Sequence, residues 1–158
     1  MWEHDNQTVQ EIGESQQYLY ALPDLQAAVD WAVQQEYKTI ITVGSSYSAA
    51  LNFILAPANA DSLTAIVSFS PGEYLGSPNL VKDAAADIKL PVYVTAGSDA
   101  KEQSQVDEVL SKTKSDKITR HKPGVGVHGA STLRDDRNPD GAIANLSDFR
   151  KFLKSTVE

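Results

Sequence analysis

Short apolar runs alternate along most of this chain with stretches whose apolar residues recur every three or four positions. Thr39-Ile40-Ile41-Thr42-Val43 is the first such run, five β-favouring residues that predict a strand. Further strands are expected at 63–69, at 90–95 and, in more polar form, at 117–121. Between them the helical period takes over. Pro23 opens a helix, since proline is tolerated in a first turn, and Leu25, Ala28, Val29, Ala32 and Val33 share one face. Residues 47–56 read as a buried helix through Ala49, Ala50, Leu51, Phe53, Ile54 and Leu55, closed by Pro57. A short helix is expected near 80–87 and another over 103–112 through Val106, Val109 and Leu110. The last runs from about 139 to 154, with Asn138 as N-cap and Ile143, Leu146, Phe149, Phe152 and Leu153 as its buried face. Residues 1–22 are polar, with only a weak helical leaning over 8–20.

Strands alternating with helices call for an α/β fold: a three-layer α/β/α arrangement around a mainly parallel sheet of about four strands. The 158 residues suit one domain, a core over 23–158 preceded by the polar segment 1–22. The net charge of −7, with Lys and Arg scattered, argues against a nucleic-acid partner. Cysteine is absent, which removes disulfides, a cysteine nucleophile and thiolate metal sites. No apolar run approaches the roughly 20 residues of a membrane span, and the acidic start Met1-Trp2-Glu3-His4-Asp5-Asn6 does not read as a signal peptide. A soluble protein, cytoplasmic by default, is the expectation. No metal or other cofactor is expected.

The candidate chemistry starts where the first strand meets its helix, at Gly44-Ser45-Ser46-Tyr47-Ser48. A serine between strand end and helix start has the placement of a nucleophile elbow, G-x-S-x-G, with Ser46 at the nucleophile position and Ser48 in place of the last glycine. In parallel sheets functional groups gather at the carboxyl ends of the strands. There the third strand is followed by Ala96-Gly97-Ser98-Asp99, and the fourth by Gly124-Val125-Gly126-Val127-His128-Gly129. A serine, an acid and a histidine thus fall at one sheet edge in the order Ser, Asp, His. Other readings of the same residues stand beside this one. Ser46 is also placed to start a helix or to cradle a phosphate at its N-terminus, and Asp99 to cap the next helix. Glu73, after the second strand, is a rival acid, and His128 fits a surface turn. His4 and His121 are expected at the surface, and Trp31 and Tyr37 in packing.

Together with Ser68-Phe69-Ser70-Pro71-Gly72-Glu73-Tyr74 and Val127-His128-Gly129-Ala130-Ser131, these motifs resemble the back half of an α/β-hydrolase, nearest the dienelactone-hydrolase-like branch. The resemblance covers about 22–152. It implies Ser46 as nucleophile, His128 as general base and acid, Asp99 as the carboxylate orienting the imidazole, and the Tyr47 N–H as one oxyanion donor. Family members place four further strands before the helix that starts at Pro23, so a truncated hydrolase core is expected. The function implied is hydrolysis of a small carboxylic ester, a small-molecule substrate, through an acyl-enzyme. The alternative is a catalytically weak or inactive hydrolase-like module for binding or assembly. Strand 39–43 would then be an apolar edge without blunting charge or proline, and a homo-oligomer joined on that side is expected.

Overall fold

The computed structural model describes residues 7–14 and 16–157. Four strands, β1 (Ile41–Ser45), β2 (Ala65–Phe69), β3 (Val92–Thr95) and β4 (Ile118–Arg120), form one sheet in the order β1-β2-β3-β4, all parallel. Helix α1 (Gln7–Ile12) and a 3-10 turn at Tyr18–Ala21 precede α2 (Leu22–Gln34). Then come α3 (Tyr47–Ala58), α4 (Leu80–Ala85), α5 (Ala100–Val109) and α6 (Ala142–Val157). A sheet whose successive strands are neighbours sends its right-handed crossovers over one face, so α3, α4 and α5 share a side. They bury Leu51, Phe53, Val81, Val106 and Val109 with α2's Val29 against Ile66, Val92 and Val94. The alternate residues Ala65, Val67, Phe69 and Tyr93 face the other way and are covered by Phe149, Phe152 and Leu153 of α6. The expected three layers are therefore present.

Several boundaries differ from the sequence pattern for local reasons. The weak helix at 8–20 splits, because Gly13 turns the chain at φ +83°. β1 starts and ends two residues later than the apolar run, since Gly44 and Ser45 continue the ladder opposite Ser68 and Phe69. α3 runs through Pro57 to Ala58; the ring falls in the last turn, where a missing N–H costs a single bond. Helix α5 starts at Ala100, earlier than expected, and tightens into a 3-10 turn over Leu110–Lys112. Asn138 is buried instead of capping α6: its amide bonds the Thr132 and Val125 carbonyls, and the helix begins at Ala142. Ile143, expected on the buried face, is exposed.

β1 is an edge strand. Its backbone alternates between two sides, and Ile40 O to Thr64 N and Ser46 N to Phe69 O, both 2.8 Å, mark the β2 side. The intervening residues Ile41 and Val43 turn their backbone groups to the open side. Ser45 does not, because the Ser48 hydroxyl accepts its N–H and donates to its carbonyl, at 2.9 and 2.8 Å. Val43 is 59% exposed, and an apolar cavity of about 350 Å³ lies between α2, α3 and this edge. Of the apolar face of α2, Val29 is buried, whereas Ala28, which lines this cavity, and Val33 are exposed.

Candidate active site

The strand register builds the site. Ser45, Phe69 and Thr95 lie side by side in neighbouring strands, so Ser46, Ser70 and the Ala96-Gly97 turn leave the sheet at one edge. Ser46 sits at φ +60°, ψ −123°, a conformation that costs a non-glycine residue on the order of 1–3 kcal/mol. It is held there from both sides. Its N–H donates to Phe69 O at 2.8 Å, and its carbonyl accepts the Ala49 and Ala50 amides of α3 at 3.0 and 3.2 Å. Gly44 makes the turn possible: a Cβ there would meet the Ser48 carbonyl oxygen at 2.4 Å. The Ser46 side chain, half-buried, makes no hydrogen bond among the described residues.

The histidine loop is locked onto this elbow. The Ser45 hydroxyl accepts the Ala130 N–H at 2.9 Å, and a Cβ on Gly129 would lie 2.4 Å from the same oxygen. Gly129 at φ +68° is thus a place where only glycine fits. The loop presents His128, whose Nδ1 lies 2.9 Å from Glu102 Oε1. An ionised carboxylate only accepts, so Nδ1 carries a proton, and in the neutral ring that leaves the lone pair on Nε2. Glu102 Oε2 accepts the Gly97 N–H at 3.0 Å and the Ser70 hydroxyl at 2.9 Å. Burial by itself pushes this carboxyl up; the Gly97 amide, the Ser70 hydroxyl and His128 outweigh it and hold it below the usual value of 4.5.

Ser46 and His128 therefore stand where the sequence placed them, and Tyr47 opens α3. Asp99 does not join them. Its carboxylate caps α5, accepting the Lys101 and Glu102 amides at 2.9 and 3.2 Å. Glu73 is equally committed, to the Val81 and Lys82 amides of α4 at 2.9 and 2.8 Å. The carboxylate beside the imidazole is Glu102, one helical turn beyond Asp99. The sequence did carry a signal for it: Asp99-Ala100-Lys101-Glu102 has capping-box spacing, in which the fourth residue turns back over the helix start. Here it reaches past the cap to Gly97 and His128. Of the other expected positions, His4 lies outside the described residues. His121 is not a free surface residue: Nδ1 lies 3.0 Å from Asp148 Oδ2, and Nε2 lies 3.2 Å from Asn145 Oδ1. Trp31 and Tyr37 pack on each other, centroids 5.9 Å apart, yet each stays more than half exposed.

A cavity of about 510 Å³ flanks these residues without containing them. Gln16, Gln17, Tyr18, Leu19, Tyr74, Leu75 and Gly76 line it. Tyr18 stacks on Tyr47 at 4.3 Å, next to Ser46, and the Tyr74 hydroxyl donates to Ser70 O at 3.3 Å. Burial and then the nearby Glu102 carboxylate push the Tyr74 phenol up. Among the described residues no group of three His, Asp or Glu side chains could hold a metal ion, and no helix is long and apolar enough to cross a membrane. Compared with family models, with curated proteins and with solved structures, the chain gives no match.

Proposed function

We propose that the protein is a serine hydrolase acting on small carboxylic esters, with Ser46 as nucleophile, His128 as general base and acid, and Glu102 as the orienting carboxylate. The observation that carries this reading is the Glu102–His128 hydrogen bond of 2.9 Å at the same sheet edge as a serine held at φ +60°. The order along the chain, Ser then acid then His, is the one an α/β-hydrolase uses, and such a fold relationship is part of the proposal.

Ser46 Oγ bonds to the ester carbonyl carbon as its proton passes to His128 Nε2. Glu102 holds the imidazolium that forms. The Tyr47 N–H, at the positive end of α3, faces the developing oxyanion. Collapse breaks the bond to the alcohol oxygen, which takes the proton from Nε2, and an acyl-Ser46 ester remains. Water then gives a proton to His128 and adds its oxygen to the acyl carbon. The acid leaves, and the proton returns to Ser46. The uncharged cleft between Tyr18 and Tyr74 suits a neutral, partly apolar part of the substrate.

Turnover of p-nitrophenyl acetate tests the reading: it should be measurable for the native chain and lost in Ser46→Ala and His128→Ala. A second reading is a hydrolase-like module with little or no activity. The missing hydrogen bond between Ser46 and His128 favours it, although such bonds often tighten only with substrate present. Turnover that is absent from the native chain and from both variants would decide for that module. On either reading the open β1 edge supports a homo-oligomer joined on that side, with Ile41 and Val43 supplying the free backbone groups.

A further inference from the structure

We propose that Ser70 is a positioning residue of this site, tying the loop that carries His128 to the carboxylate that orients its ring; the proposal rests on the reading of Ser46, His128 and Glu102 given above. Ser70 directly follows β2, is 1% exposed, and stands at φ +54°. Three non-glycine residues have positive φ among the described residues, and Ser46 and Ser70 are two of them. Such strain persists where the surroundings over-determine it, and here every polar atom of Ser70 is used. Its N–H donates to Thr95 O at 2.7 Å, which fixes it to β3. Its carbonyl accepts the Tyr74 hydroxyl.

The side chain has one proton to give, and the structure fixes where it goes. The Gly129 N–H donates to the Ser70 oxygen at 2.8 Å, occupying a lone pair. Glu102 Oε2, 2.9 Å away, belongs to an ionised carboxylate that only accepts. The hydroxyl proton must therefore point at Glu102. A directed chain results: Gly129 N–H to Ser70, Ser70 O–H to Glu102 Oε2, and His128 Nδ1–H to Oε1. Gly129 is the residue after His128, so one hydroxyl restrains both the backbone that carries the imidazole and the group that holds its ring. Alanine or glycine at 70 strands the buried Gly129 N–H and leaves Oε2 with the Gly97 amide alone. A carboxylate with one donor fewer binds protons, and the imidazolium beside it, more tightly.

Ser70→Gly is the informative variant, because glycine accepts the positive φ while losing the hydroxyl together with its Cβ; Ser70→Ala, which loses the hydroxyl alone, is its control. Two readouts are taken. The first is the downfield NMR resonance of the His128 Nδ1 proton, which needs no turnover. The second is the pH profile of kcat/KM with p-nitrophenyl acetate. In Ser70→Gly the resonance should shift or vanish by exchange. The kcat should fall about 10- to 100-fold with KM little changed, the range typical of lost supporting hydrogen bonds. The acidic limb should move to higher pH, and Ser70→Ala should move both readouts in the same direction. An unmoved resonance together with an unmoved profile in Ser70→Gly overturns the proposal. A native protein that binds His128 as described but turns over no ester would overturn the hydrolase reading alone, and the resonance would still judge Ser70.

Discussion

At the scale of single residues the decisive contrast is between two carboxylates three positions apart. Asp99 and Glu102 are both acidic, both at the start of α5, and both follow the third strand, yet only Glu102 meets the imidazole. Asp99→Asn keeps a side-chain oxygen for the cap, so kcat/KM should stay within a few-fold of native. Glu102→Gln frees the imidazole to take the wrong tautomer, and kcat should drop by about 10⁴-fold. Steady-state kinetics of the pair decide between them. Glu102 also makes a pH prediction. Its folded value is depressed, so the stability it contributes is complete above 4.5 and is lost as pH falls through the lower folded value. Native protein should lose stability across that acid window, and Glu102→Gln should lose less there in urea titrations at stepped pH. The sequence pattern made Ser46 and His128 legible, because a strand-to-helix turn and a glycine-flanked loop are local features. Glu102 was less legible: its capping-box spacing after Asp99 marks the helix start, but the side-chain path that carries it on to the imidazole is not revealed by spacing along the chain.

Among elements, legibility followed periodicity. The buried strands β2 and β3 and helix α3 carry continuous or strongly periodic apolar residues, and they stand within a residue or two of where the pattern placed them. Element ends were less legible, since they depend on hydrogen bonds made from elsewhere: Asn138 is drawn to the Val125 and Thr132 carbonyls, and the expected start of α6 moves with it. The junctions between elements offer two tests. Asp99→Ala removes the α5 cap and should cost about 1 kcal/mol in urea unfolding. Gly44→Ala forces a Cβ against the backbone carbonyl of Ser48, which cannot move without displacing α3. It should destabilise by about 1–3 kcal/mol, and the elbow should lose activity along with stability.

For the whole molecule, the arrangement of layers explains both the site and the exposed edge. Crossovers on one face leave the other to α6 and to Ala130 and Leu133 of the histidine loop, which cover β2 and β3 but not Val43 of β1. On the proposal of pairing through this edge, light scattering at micromolar concentration should give about twice 17.1 kDa. Val43→Lys should return the monomer without loss of thermal stability, because that side chain is already exposed in a single copy. A native mass of 17.1 kDa at every concentration would contradict the pairing. Whether the sheet edge assembles a working nucleophile is read by labelling with a fluorophosphonate probe followed by intact mass. One adduct, mapped to Ser46, should form on the native chain and on Asp99→Asn and be abolished in His128→Ala. No adduct on Ser46, or one that forms equally fast without His128, would contradict that assembly.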